Sequence, residues 1–167
     1  MQWAQSIVKV LKDYEVKFIN FVPDAMGEQI MRVAREDPFF ELLPLAREEE
    51  GIGVASGQAV AGGRGAVLFP GSGLGNSINA LASLAIPYRI PVPMIIGHRG
   101  NLGEFNATQV MMGQSLTDIL DSLRIPWFEM KHQDEVETLV EGMLRVCYAS
   151  ESPAACLIST QLAGWKE

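Results

Sequence analysis

Apolar positions along the chain switch repeatedly between two periods. From Gln2 to Tyr14 they fall three and four apart, which predicts a helix, and Lys17–Val22 is a short β-rich run closed by Pro23 and Asp24. Helical spacing returns over Ala25–Arg35, Phe39–Leu45 reads as an apolar strand, and Glu48–Ala61 reads as a helix rich in Gly and Ala. The alternation continues with a strand at Gly65–Phe69, a helix over Gly73–Ile86 stopped by Pro87, and a short strand at Pro93–Ile96. A polar segment from Gly97 to Thr108 leads to a helix within Val110–Leu123, a strand near Pro126–Met130, a helix from Asp134 to Tyr148 and a last strand, Ala154–Ser159.

Strict alternation of strand and helix, with strands that are apolar almost throughout, predicts an α/β fold: a mostly parallel sheet of about six strands with helices on both faces. No linker, repeat or second domain interrupts the pattern, so residues 1–167 read as one domain. In such folds ligands sit beyond the carboxyl ends of the strands. That edge carries Pro23-Asp24, Arg47-Glu48, Pro70-Gly71-Ser72-Gly73 and Gly97-His98-Arg99.

Composition narrows the function classes. The net charge is −7 and no segment concentrates Lys and Arg, which argues against a nucleic-acid surface. No apolar run is long enough to span a bilayer and Met1-Gln2-Trp3-Ala4 does not open a signal peptide, so the chain is expected to be cytoplasmic. Cys147 and Cys156 are the only cysteines and read as buried free thiols. Two Cys and two His set well apart do not make a zinc site.

Two stretches carry candidate chemistry. The turn Pro70-Gly71-Ser72-Gly73-Leu74-Gly75-Asn76 between a strand and a helix can be structural or can approach a phosphate or dinucleotide. A dinucleotide site wants an acid at the end of the next strand, where Gly97, His98 and Arg99 stand instead; Arg99 leaves NADP as the remaining version. No Gly-Lys-Ser or Gly-Lys-Thr follows a glycine turn, so nucleotide hydrolysis is not supported. The second stretch, Arg47 to Ala59, places Glu48, Glu49 and Glu50 at the start of a helix of small residues, which can approach a neighbour closely. Acids there also suit the positive end of the helix dipole.

The register of Glu48 with Ala55-Ser56-Gly57 resembles the pyrimidine-binding domain of thiamine-diphosphate (ThDP)-dependent decarboxylases. Val22-Pro23-Asp24, Arg47 to Gly51, Ser72 to Ser77, Asn79 to Leu84 and Arg99-Gly100 together resemble the alpha subunits of sulfopyruvate decarboxylases, with phosphonopyruvate decarboxylases close by. The resemblance implies a two-component 2-oxo acid decarboxylase acting on 3-sulfopyruvate, with ThDP and Mg2+ as cofactors. The family's diphosphate-binding half begins with Gly-Asp-Gly, which does not occur in this sequence. A beta subunit is therefore expected to bring that half and its magnesium, in a hetero-oligomer such as α2β2 or larger.

The resemblance also assigns roles. Glu48 becomes the catalytic residue, bonding a ring nitrogen of the aminopyrimidine, while Glu49 and Glu50 stay on the helix face. Ser72, Gly73 and Asn76 approach the cofactor, although Ser and Asn can equally cap the helix. Asp24 lines the substrate pocket or caps the helix at Ala25. His98 and Arg99 stand where a cation suits a sulfonate or phosphonate, or Arg99 simply pairs with Glu104. Gln109 is a further substrate-side candidate, and Met111 and Met112 read as core. Phe69 occupies the position where relatives acting on aromatic 2-oxo acids have a histidine, so that substrate class is disfavoured. Two readings stay open beside this one: another short 2-oxo acid such as phosphonopyruvate, and a catalytically silent scaffold subunit.

Overall fold

The computed structural model describes residues 2–164. Its elements are α1 (Gln2–Asp13), β1 (Phe18–Phe21), α2 (Gly27–Ala34), β2 (Glu41–Pro44), α3 (Glu48–Val60), β3 (Gly65–Pro70) and α4 (Ser72–Ala80). They continue with β4 (Pro93–His98), α5 (Ala107–Ser122), β5 (Trp127–Met130), α6 (Val136–Ser150), β6 (Ala154–Ser159) and α7 (Thr160–Ala163). The six strands form one sheet in the order β2-β1-β3-β4-β6-β5, and every pairing is parallel. Parallel neighbours require crossovers, and the helices that supply them cover both faces.

Successive side chains of a strand point to opposite faces, so each central strand feeds two cores. Ala66 and Leu68 of β3, Ile95 of β4, and Ala154, Cys156 and Ile158 of β6 pack with α1, α2 and α6. Val67, Phe69, Met94, Ile96, Ala155 and Leu157 pack with α3, α4 and α5. This double burial is why the strands read as continuous apolar runs. The edge strand β2 pairs only with β1 and is mostly exposed, despite its apolar sequence. Cys147 and Cys156 are buried free thiols, and burial pushes both thiols up, Cys147 to about 12.

Three boundaries depart from the sequence pattern. The helix expected over Gly73–Ile86 is α4 followed by a π-helical turn at Leu81–Ala85, in which Ile86 N–H donates to Leu81 O at 3.0 Å. The wider turn falls just before Pro87, whose ring cannot continue an α-helix. Helix α5 begins earlier than expected, at Ala107, because Asn106 Oδ1 accepts the Thr108 N–H at 3.1 Å and caps it. The short α7 was not expected: Ser159 Oγ accepts the Leu162 N–H at 3.1 Å and turns the chain into a helix at the end of β6. Among the described residues no helix is long and apolar enough to cross a membrane.

Candidate active site

At the carboxyl end of β2, Arg47 is extended (φ −147°, ψ 151°) and the next residue opens α3. The three acids of that first turn have separate partners. Glu50 Oε2 accepts the Ala46 N–H at 3.0 Å and so ties the chain just before α3 to its first turn, while Glu49 pairs with Arg47 at 3.2 Å. Glu48 turns the other way, half-buried, against the first turn of α4. Asn76 Nδ2 donates to Glu48 Oε2 at 3.1 Å, and the Glu48 stem lies flat on Gly73. A Cβ at Gly73 would overlap Glu48 Cγ and stand 2.6 Å from its Cδ, so only glycine leaves room for this carboxylate.

A buried amide pair that the sequence pattern did not flag anchors α3. Asn20 of β1, fully buried, donates to Gln58 Oε1 at 2.8 Å and to Ala66 O at 3.2 Å, and Gln58 donates back to Asn20 Oδ1 at 3.1 Å. Both amides are satisfied only in one seating of α3 on the sheet, which fixes the helix that presents Glu48. The signal was available, since Asn20 is the one polar residue inside an apolar strand.

Further along the same edge, the Gly71 N–H donates to Gly97 O at 2.8 Å and ties the ends of β3 and β4 together. Asp24 adjoins this link, because a Cβ at Gly97 would sit 3.0 Å from Asp24 Oδ2. That oxygen also accepts the Met26 N–H at 3.1 Å, so Asp24 does restrain the start of α2. It also lines a cavity of about 210 Å³, shared with Met26, Gln29, Arg99, Phe105 and Thr160. The two readings of Asp24 are compatible in this geometry.

The segment after β4 is held by two carboxylates, Glu104 and Glu129. Arg99 donates through Nε at 2.9 Å and Nη2 at 2.5 Å to Glu104, whose carboxylate also accepts the Gly100 N–H at 3.0 Å and the Asn106 N–H at 2.9 Å. His98 is buried, with Nδ1 2.8 Å from Glu129 Oε1 and Nε2 3.1 Å from Gly113 O. Lys131 also reaches Glu129, at 2.8 Å. Gly113 packs so tightly on the Arg99 carbonyl that a side chain there would overlap it.

These contacts predict an acid limit to stability. The Arg99 guanidinium, against the cost of burial and with help from the Asn106 and Gly100 amides, holds the Glu104 carboxyl down to about 2. The His98 ring, with Lys131, does the same for Glu129, also to about 2. A depressed carboxyl contributes stability that is present above its ordinary value of 4.5 and is lost as pH falls through the folded-state value. Urea unfolding midpoints should therefore drop between pH 4.5 and about 2, and Glu104→Gln should flatten that part of the curve.

The structure thus brings Glu48, Gly73 and Asn76 into one cluster, and Asp24 and Arg99 into a neighbouring cavity. Ser72 is exposed in the first turn of α4, which has no side-chain cap, so the capping role open to it is not used. Asn76 likewise bonds Glu48 rather than capping. The ring nitrogens of His98 are turned to Glu129 and Gly113, and His98 and Gln109 are not among the cavity-lining residues. Met112 packs near Gly75, but Met111 is 71% exposed, which corrects the expectation that both methionines are core. Glu104, Gln29 and Thr160 were missed as site residues; they are far apart in sequence and no motif joins them. Among the described residues no group of three His, Cys, Asp or Glu could hold a metal ion.

A parallel sheet with a helix-opening glutamate seated on a bare glycine at its carboxyl edge defines an α/β cofactor-binding domain. The chain belongs to the thiamine pyrophosphate enzyme family, through its N-terminal TPP binding domain, which residues 1–123 match. It is 37% identical over 158 residues to the sulfopyruvate decarboxylase subunit alpha of Methanococcus maripaludis, covering 95% of each chain. It is 36% identical to the subunit of the same name from Methanocaldococcus jannaschii, covering 94% of this chain and 93% of the other. Among solved structures, the 2-oxoglutarate:ferredoxin oxidoreductase of Magnetococcus marinus shares the fold, with a TM-score of 0.75 at 12% identity; the match covers 98% of this chain and 29% of that one.

Proposed function

We propose that this chain is the pyrimidine-binding subunit of a two-component ThDP-dependent decarboxylase that converts 3-sulfopyruvate to sulfoacetaldehyde and carbon dioxide. The observation that carries the reading is the seating of Glu48: a half-buried carboxylate at a helix start, backed by a glycine that no other residue can replace and steadied by Asn76. Asn76 takes Oε2, and none of the described residues hydrogen-bonds Oε1. A carboxylate so placed fits the ring nitrogen of an aminopyrimidine. The relatives named above carry the substrate, and their designation as alpha subunits supports a partner.

When bound, the thiazolium of the cofactor supplies the electron sink that 2-oxo acid decarboxylation requires. This chain's part is to hold the pyrimidine and to manage its proton. Glu48 shares a proton with the ring and so favours the tautomer that activates the cofactor, while Ser72, Gly73 and Asn76 let the backbone of α4 approach it. Asp24 and Arg99 face the substrate from the neighbouring cavity, and His98, bonded to Glu129 and to Gly113 O, steadies the loop that carries Arg99. A beta subunit brings the diphosphate-binding half and Mg2+, so each active site lies between chains in a hetero-oligomer.

The test is affinity isolation of the chain from its native cell, followed by assay of the eluate for ThDP- and Mg2+-dependent release of carbon dioxide from sulfopyruvate. A co-purifying chain bearing Gly-Asp-Gly, with that activity, is expected. Activity on a different 2-oxo acid alone would move the substrate; a chain that isolates alone and binds no ThDP would overturn the proposal.

A further inference from the structure

We infer that the cavity between the ends of β1, β4 and β6 is a subsite for the anionic tail of the substrate, where Arg99 is the recognising group and Glu104 the residue that positions it. The inference deepens the decarboxylase reading and rests on it.

Glu104 presents Arg99 in a single orientation. The carboxylate occupies Nε and one N–H of Nη2, leaving the other three of the five guanidinium N–H groups for a ligand. The Phe105 ring lies 5.2 Å from the guanidinium carbon and restricts it to one plane. Arg99 remains 19% exposed while Glu104 is only 2% exposed, so of these two lining side chains the cation is the more open to the cavity. Two main-chain N–H groups also solvate the Glu104 carboxylate.

The loop carrying these residues is tied across the cavity, because Thr160 Oγ1 at the start of α7 donates to Leu102 O at 3.0 Å. The volume of about 210 Å³ is below the roughly 300–1,000 Å³ of pockets for larger ligands and suits a three-carbon acid. A short path joins the cavity to the cofactor glutamate: Glu48 rests on Gly73, Gly71 bonds Gly97, and Gly97 abuts Asp24.

The charge of the lining selects among anions. Among the described lining residues Arg99 is the one cation, beside the carboxylates of Asp24 and Glu104. A sulfonate carries one negative charge, the smaller load on a lining with a single cation. A phosphonate, like other phosphoryl groups, approaches two near neutral pH, and its second charge meets Asp24 and Glu104 with no further cation among the described lining residues.

The complex of this chain with its beta subunit provides the test, with kcat and KM measured for sulfopyruvate, phosphonopyruvate and pyruvate, which has no charged tail. Arg99→Gln and Glu104→Gln should each lower kcat/KM for sulfopyruvate at least about tenfold more than for pyruvate, mainly through KM, the range expected for a lost charged hydrogen bond. Arg99→Lys keeps the charge but loses the planar fork, and should show the same bias if the glutamine variant does not fold. In the unaltered complex, sulfopyruvate should be favoured over phosphonopyruvate by a margin that narrows as pH falls and the phosphonate takes up a proton. Equal losses for sulfopyruvate and pyruvate in all three variants, with the decarboxylase active, would overturn this inference alone. An unaltered complex that decarboxylates none of the three acids would overturn the decarboxylase reading and this one with it.

Discussion

Replacing Glu48 with Gln should lower the decarboxylation rate of the assembled complex by about 10²–10⁴-fold, the usual contribution of a positioned proton-transfer group. The substitution preserves size, and a glutamine Oε1 can still accept the Asn76 donor that Glu48 Oε2 accepts at 3.1 Å. The seat on Gly73 also remains, so the fold and the contact with the beta subunit should persist. What is lost is the ability to share a proton with the pyrimidine ring. Steady-state turnover with saturating ThDP, beside circular dichroism and size-exclusion profiles, is the measurement. Unchanged turnover would instead establish the chain as a silent scaffold whose partner holds a complete site.

The second large effect is expected at a residue with no chemistry of its own. Gly73 lies in the first turn of α4, where alanine is by propensity the better residue by about 1 kcal/mol. Gly73→Ala should nonetheless cost about 10²-fold in turnover, because its methyl group would overlap Glu48 Cγ and push the carboxylate from its position. A displacement on the order of 1 Å at a reacting group carries that penalty. The informative outcome is the split between stability and activity. A thermal midpoint close to that of the unaltered chain, with turnover reduced, assigns the glycine to seating Glu48; full activity would show that the acid can shift without consequence.

The pattern of apolar residues made most of the fold legible. All six strands were expected within a few residues, because in a parallel sheet both faces are buried and such strands stand out as short apolar runs between turn residues. Boundaries failed where local chemistry competes with periodicity: the Asn106 cap that starts α5 early, the π turn before Pro87, and the Ser159 cap that creates α7. The core reading of Met111 failed because two adjacent methionines do not say which side of a helix faces the sheet.

The candidate site was legible in unequal parts. Glu48, Gly73 and Asn76 stand in motifs with fixed spacing, so a family pattern could single them out, and chain folding places them together. The triple acid was ambiguous, since all three residues suit a helix start. Only the turn geometry separated Glu50 as the partner of the Ala46 N–H, Glu49 as the partner of Arg47, and Glu48 as the residue facing α4.

By itself the amino-acid sequence determined the fold class, because that depends on local periodicity, while Glu48 stood out through a family resemblance carried by motifs contiguous along the chain. The order of the strands, the Asn20–Gln58 pair that seats α3, and the cavity joining Asp24, Gln29, Arg99 and Thr160 were decided only in the tertiary structure. Those features depend on residues from separate strand ends meeting in space. Whether Arg99 faces solvent or a cavity is settled by the buried Glu104 five residues away and by a loop tied to α7, contacts that no spacing rule encodes.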